Sequence, residues 1–141
     1  MITPDANLLI YAFDQESRFH ERAKAWIEAI FSGEELVGLA WSVLLAFIRI
    51  STRTLRVPLT PEQALGLVGE WLTQPNASIL EPGPRHIELL SRLLLEAGTA
   101  GNLTSDAHLA AIALEHDAEV YSTDIDFGRF PGLRWRNPLQ S

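Results

Sequence analysis

Short apolar runs separate longer stretches of helical periodicity along this chain. The apolar runs predict buried strands at residues 2–4, 36–39, 78–80, 119–122 and 133–135. Between them, apolar residues recur every three or four positions and predict helices at residues 6–13, 17–33, 41–52, 61–73, 84–97 and 104–115. Strands that alternate with helices favour a mostly parallel sheet covered on both faces. We therefore expect a single α/β domain over residues 1–141.

Several helix ends are marked by residues with known capping preferences. Thr60, Pro61 and Gln63 predict a helix start, with a threonine cap, proline at the first position and glutamine at the third. Gly98 is expected to end the preceding long helix, and Thr104 to cap the last one. The helix at 41–52 has apolar residues nearly all round, so we expect it to be covered on most sides.

The composition narrows the class of protein. Hydrophobic residues make up 47% and charged residues 21%, which suits a domain with a real core. The chain contains no cysteine, which excludes disulfide scaffolds, thiolate zinc sites and cysteine nucleophiles. No apolar run approaches the roughly 18–20 residues of a membrane span, and the first residues lack the basic region of a signal peptide. A cytoplasmic domain without a membrane partner is expected.

The net charge of −7 has the wrong sign for a broad basic surface that holds nucleic acid. Lys24 is the single lysine among eleven basic residues, so the others are arginines. If such an acidic protein binds phosphates, a cation must sit between the two negative charges, and a metal ion is the obvious candidate.

Four of the six aspartates are expected at one edge of the sheet. Asp5 follows the first strand directly, and Asp124 and Asp126 follow the strand at 119–122. Asp106 lies in the first turn of the helix at 104–115. Ligands of open parallel sheets bind beyond the carboxyl ends of the strands, so these side chains are expected to converge there. Oxygen-only ligands favour Mg²⁺ or Mn²⁺ over zinc.

Each aspartate also has a structural interpretation that stays open at this point. Asp5 is placed to cap the helix that begins at Ala6, and Asp106 is favoured at a helix N-terminus by the helix dipole. Asp124 and Asp126 flank a turn, where aspartate makes local hydrogen bonds. Their expected convergence is the stronger argument for a functional role.

Other chemistries have less support. The chain has no Gly-x-Ser-x-Gly elbow, P-loop or dinucleotide fingerprint. A phosphotransfer domain of the receiver or haloacid-dehalogenase type would place a lysine at the phosphoryl group, but Lys24 falls on the polar face of an early helix. Structural roles are expected for His20, His86 and His116; His108 is two residues from Asp106 and is placed to line the cleft.

Three motifs in order resemble the PIN-domain ribonucleases, most closely the VapC-type toxins of bacterial toxin–antitoxin pairs. They are DANLLIYA at 5–12, TSDAHLAA at 104–111 and STDIDF at 122–127, with FPGL at 130–133 and Asn137-Pro138 near the end. The resemblance covers essentially the whole chain. It implies a three-layer α/β/α fold whose acidic pocket binds Mg²⁺ or Mn²⁺ and cleaves RNA to leave a 5′-phosphate and a 3′-hydroxyl.

The resemblance also assigns residues and partners. It implies that Asp5, Asp106 and Asp124 are catalytic metal ligands and that Asp126 is an accessory ligand. It implies a homodimer and a small antitoxin protein, whose inserted arginine would compete with metal and RNA for the acidic pocket. Apolar residues on the helices at 41–50 and 65–72 are expected to exceed what a small domain leaves exposed, which favours such interfaces.

One departure from the family pattern concerns a glutamate on the helix after the second strand. Phe47 is aligned at its position, which predicts one firmly held metal and a weak or absent second. Arg49 on the same helix is placed either to face phosphate or to pair with a pocket aspartate. Two other readings stay open: a PIN-like binding domain that has lost catalysis, and an RNA-processing nuclease without an antitoxin.

Overall fold

The computed structural model describes residues 1–140, which form five strands, six α-helices and two short 3₁₀ turns. The strands are β1 (Ile2–Pro4), β2 (Val37–Ala40), β3 (Ala77–Leu80), β4 (Glu119–Tyr121) and β5 (Trp135–Arg136). The α-helices are α1 (Ala6–Tyr11), α2 (His20–Ser32), α3 (Trp41–Ser51), α4 (Pro61–Leu72), α5 (His86–Ala97) and α6 (Thr104–Glu115). Ser141, the last residue of the expected domain, lies outside this description.

The sheet is parallel throughout, in the order β3-β2-β1-β4-β5. Every residue of β1 and β2 is buried, and neighbouring residues of a strand face opposite sides, so both faces of the sheet are covered. Helix α1 contacts α2 and α3, and α5 contacts α6. The predicted α/β/α fold with a mostly parallel sheet is confirmed.

The strand order has a switch point between β1 and β4. The chain moves outward from β1 through β2 to β3, then returns to place β4 on the other side of β1. Connections that leave two neighbouring strands in opposite directions open a crevice at their carboxyl ends. Asp5 and Asp124 stand at these ends, just beyond β1 and β4.

Some element boundaries differ from the prediction. Thr104 is the first residue of α6 and makes no capping hydrogen bond, because a 3₁₀ turn at Gly101–Leu103 leads into the helix without an extended residue. Helix α2 begins at His20, after turns at residues 15–19, and β5 lies at Trp135–Arg136 instead of 133–135. The capping box is confirmed: the Gln63 amide donates to Thr60 Oγ1 at 3.1 Å, and the Thr60 amide donates to Gln63 Oε1 at 2.9 Å.

Helix α3 is less covered than predicted. Trp41 is 43% exposed and Leu45 is 58% exposed, while Val43, Leu44 and Phe47 are buried. Only one face of α3 therefore packs into the core. Within residues 1–140, no helix is long and apolar enough to cross a membrane.

Candidate active site

Asp5 is held at the end of β1 by two hydrogen bonds. Its Oδ1 accepts from the Ala6 amide at 2.8 Å, so the carboxylate caps α1 as the structural interpretation proposed. Its Oδ2 accepts from Ser122 Oγ at 2.8 Å. Since α1 is short and buried against the sheet, capping fixes the carboxylate at the switch point instead of excluding a functional role.

Ser122 lies at the centre of a network that the sequence analysis did not identify. Its fully buried hydroxyl donates to Asp5, and it accepts from the Asp124 amide at 3.0 Å and from Asn7 Nδ2 at 3.1 Å. Asn7 Nδ2 also donates to Thr123 Oγ1 at 3.0 Å. The network ties the end of β1 to the end of β4. The sequence signals for this network are two polar residues in apolar runs: Ser122 at the end of a strand and Asn7 within a helix.

Three carboxylates form a compact cluster beside this network. One carboxylate oxygen from each of Asp106, Asp124 and Asp126 lies within 4.8 Å of the others. Asp106 projects from the first turn of α6, and Asp124 accepts from the Asp126 amide at 2.9 Å in the turn after β4. Asp5 is outside this group of three, but it lines the same cleft as Asp106. The geometry thus brings Asp106, Asp124 and Asp126 together with Asp5 alongside.

Within residues 1–140, no basic side chain forms an ion pair with the carboxylates of the cluster. Burial raises the pKa of Asp106 to about 7, and the charges of Asp124, Asp5 and Asp126 add to that effect. Burial also raises the pKa of Asp5; the hydrogen bonds from Ser122 and Ala6 oppose this rise, and the charge of Asp124 adds to it. Half-buried carboxylates that repel each other need protons or a cation. An all-oxygen donor set of this kind suits a hard divalent ion such as Mg²⁺ or Mn²⁺.

A cleft of about 500 Å³ opens beside the carboxylates. Residues of α1, α3, α5 and α6 line it together with Asp5, among them Ser42, Leu45, Ala46, Arg49, Asp106 and His108. Arg49 is exposed, and its side chain forms no ion pair with any carboxylate of residues 1–140. The pairing of Arg49 with a pocket aspartate is therefore wrong in this structure.

The alignment of Phe47 with a metal-binding glutamate is also wrong. Phe47 is fully buried and packs edge-on against Trp71, with ring centroids 4.8 Å apart, and against Phe13 at 5.9 Å. The α3 residues that line the cleft are instead Ser42, Val43, Leu45, Ala46 and Arg49. Successive residues of a helix are rotated by about 100° from each other, so an alignment that is wrong by one residue moves a side chain from the cleft to the core. No carboxylate of α3 lines the cleft.

Two histidines contact backbone carbonyl groups, and the other two contact each other. His20 Nδ1 lies 3.1 Å from the Tyr11 carbonyl oxygen, and His116 Nε2 lies 2.8 Å from that of Glu81. His86 Nε2 lies 2.9 Å from His108 Nδ1, and burial, together with His86, lowers the pKa of His108. His108 lines the cleft as expected, but its contact with His86 joins residues 22 positions apart and was not predicted.

A parallel sheet with an acidic site at its switch point defines a class of metal-site α/β proteins, and comparison with known proteins specifies the family. The PIN domain model matches residues 2–133. This chain belongs to the PIN-domain family.

Proteins similar to this chain include VapC ribonucleases and a VapBC complex. The chain is 45% identical to ribonuclease VapC33 of Mycobacterium tuberculosis over 142 aligned positions, covering 99% of each chain. It is 45% identical to VapC37 of the same species, covering 95% of this chain and 94% of the relative. The fold resembles VapBC2 from Rickettsia felis bound to a promoter DNA fragment, with a TM-score of 0.71, 18% identity and coverage of 97% and 98%. The last similarity concerns the fold alone.

Proposed function

We propose that this protein is a metal-dependent ribonuclease, acting as the toxin of a toxin–antitoxin pair through a single PIN domain. The observation that carries the proposal is the cluster of Asp106, Asp124 and Asp126 beside Asp5 at the sheet switch point. The similarity to ribonuclease VapC33 over 99% of both chains supports RNA as the substrate.

The four aspartates have separable roles in this proposal. Asp5, Asp106 and Asp124 are the catalytic metal ligands, and Asp126 is an accessory ligand. A bound Mg²⁺ or Mn²⁺ would polarise a phosphoryl oxygen and lower the pKa of a water ligand. Ser122 orients Asp5, because its hydroxyl donates to Oδ2, and it holds the Asp124 backbone at the same time. Asp106 must release its proton before it can act as a ligand.

The origin of the carboxylates favours one firmly bound ion. They come from the ends of β1 and β4 and from the start of α6, while α3 contributes no carboxylate to the cleft lining. A site that held two ions firmly would need a further carboxylate. With no acid from α3, a second ion is expected to bind weakly or not at all.

The test is RNA cleavage by the purified protein with Mg²⁺ or Mn²⁺ and with EDTA. We expect wild type to cleave only with a divalent ion, and Asp5→Asn to lose most of the activity. Asp117→Asn is the matched control: Asp117 is exposed, lies in the turn between α6 and β4 and has a positive φ of 53° that asparagine tolerates. Cleavage in EDTA would refute the metal mechanism. A wild-type protein that binds RNA without cutting it would favour the binding-domain alternative.

The proposed partners are an antitoxin and a second copy of the chain. Trp41 and Leu45 on α3 and Leu65 on α4 are apolar and between 43% and 58% exposed, which supports protein interfaces on these helices. The unneutralised carboxylates support insertion of an antitoxin arginine into the cleft.

Two measurements test these partners. Light scattering is expected to give twice the chain mass of 15.7 kDa, and a monomeric mass at tens of micromolar would reject the homodimer. A small antitoxin gene beside this one is expected, and replacing the basic residues of the antitoxin tail by alanine should relieve inhibition. Full inhibition by that antitoxin variant would reject arginine insertion, and a gene without such a neighbour would favour RNA processing.

A further inference from the structure

Arg49 lines the cleft from helix α3 and carries a positive charge. It lies on the same face of α3 as Ser42 and Ala46, because it follows them by seven and three residues. The three side chains line the same cleft as Asp5 and Asp106. Val43 and Leu45 complete the α3 part of the lining, in which Arg49 alone carries a charge.

The guanidinium of Arg49 is uncommitted. Arg56, Arg85, Arg134 and Arg136 each pair with a carboxylate, whereas the Arg49 side chain forms no ion pair with any carboxylate of residues 1–140. Arg49 is also exposed. In a protein with a net charge of −7 and unneutralised aspartates in the same cleft, an unpaired arginine is available to a ligand.

A phosphodiester matches both kinds of charged group in this cleft. Its oxygens are ligands for a cation held by the aspartates, and its negative charge suits a guanidinium, whose planar fork donates to two phosphate oxygens at once. The volume of about 500 Å³ is within the range of small-ligand sites and accommodates a nucleotide unit. The net negative charge of the protein would otherwise oppose RNA binding, and a local cation offsets that repulsion.

We propose that Arg49 is a substrate-binding residue that holds an RNA backbone phosphate in the cleft beside the aspartates. This inference rests on the proposed ribonuclease function and adds a residue to it. Arg49 supplies charge and orientation to the phosphate, and the aspartates supply the metal site. The two sets of residues are therefore separable: loss of Arg49 weakens RNA binding and leaves metal binding intact.

The experiment measures binding of a short fluorescein-labelled single-stranded RNA by Asp5→Asn protein, which limits cleavage, over a series of salt concentrations with Mg²⁺ present. Adding Arg49→Ala is expected to weaken binding roughly tenfold to a hundredfold, as for loss of a charge-assisted hydrogen bond. The slope of log K against log salt should become shallower by about 0.7, the value for one phosphate contact on a single strand. Arg49→Lys should restore the slope but only part of the affinity, because lysine lacks the fork.

Arg92→Ala is the matched control. Arg92 is also exposed and outside the ion pairs of the described residues, but it lies on α5 away from the cleft lining. Its loss should leave affinity and salt slope unchanged. Mn²⁺ binding without RNA, measured by titration calorimetry on otherwise wild-type protein, should survive Arg49→Ala.

Two outcomes would overturn the inference. One is equal affinity and salt slope for Arg49→Ala and Arg92→Ala, and the other is loss of Mn²⁺ binding in Arg49→Ala. Failure of the wild-type protein to cleave RNA would instead refute the proposed function. Cleavage by wild type with unchanged binding by the Arg49 variant would refute this inference alone.

Discussion

Burial has opposite consequences on the two sides of α3. Near its middle, Phe47 packs against Phe13 and Trp71, and the removal of aromatic surface from water stabilises the fold. In the cleft beside the same helix, burial raises the pKa of Asp5 and Asp106 and leaves their charges uncompensated. The aromatic cluster therefore stabilises the protein, while the repulsion within the acidic cluster opposes folding. One face of α3 packs into the stabilising core, and another face borders the cleft that holds the carboxylates.

The largest expected effect comes from placing the same substitution on each face. Phe47→Glu buries a carboxylate among aromatic rings and removes their packing, which should cost about 4 kcal/mol or more and lower the melting temperature by about 10 °C. Ala46→Glu, one residue earlier, points a carboxylate into the cleft and should change the melting temperature little. Thermal unfolding followed by circular dichroism measures both. A stable Phe47→Glu protein that binds Mn²⁺ more tightly than wild type would show that position 47 faces the metal site.

The second prediction concerns pH, because Asp106 titrates in the accessible range. Its pKa is about 7 in the folded protein and near 3.9 in an unfolded chain, so the metal-free fold binds more protons than the unfolded chain between these values. The free energy of unfolding without metal should therefore fall as pH rises from about 4 to about 7, then level off. Since Mn²⁺ needs the ionised form, its stabilising effect should grow over the same range.

Melting temperatures with Mn²⁺ and with EDTA, at about pH 5.5 and about pH 8, measure this effect. The increase on adding Mn²⁺ should be larger at the higher pH. Asp106→Asn is the control and should flatten the pH dependence of the metal-free protein. An equal Mn²⁺ effect at both pH values would show that no titrating ligand controls binding.

The smallest effect is expected for Ser122→Ala. The variant removes the donor to Asp5 and leaves the Asp124 amide and Asn7 amide without their buried acceptor, which should cost about 1–3 kcal/mol. The pKa of Asp5 should rise further, because the hydrogen bond from Ser122 lowers it. Urea unfolding and Mn²⁺ titration follow the two changes. Ser91→Ala on the exposed side of α5 is the control, and equal behaviour of the two variants would leave the network without a role.

The sequence predicts the acidic site better than its surroundings for a physical reason. Asp5 and Asp124 directly follow apolar strands, and parallel strands bring their carboxyl ends together, so element order is enough to place them. The Ser122–Asn7 contact joins residues 115 positions apart and depends on side-chain geometry that no local pattern encodes. Phe47 lies in the core and not at the predicted ligand position. Because α3 is apolar on most sides, its sequence pattern does not define how the helix is rotated about its axis.

The central claim is that the aspartates hold a divalent cation, and calorimetric titration of the metal-free protein with Mn²⁺ tests it most directly. Wild type and Asp117→Asn should bind one Mn²⁺ with equal affinity at about pH 8, where Asp106 is ionised. Asp106→Asn and Asp124→Asn should each bind at least about tenfold more weakly, because each loses a carboxylate ligand. Equal Mn²⁺ affinity in all four proteins, or no binding to wild type, would contradict the account.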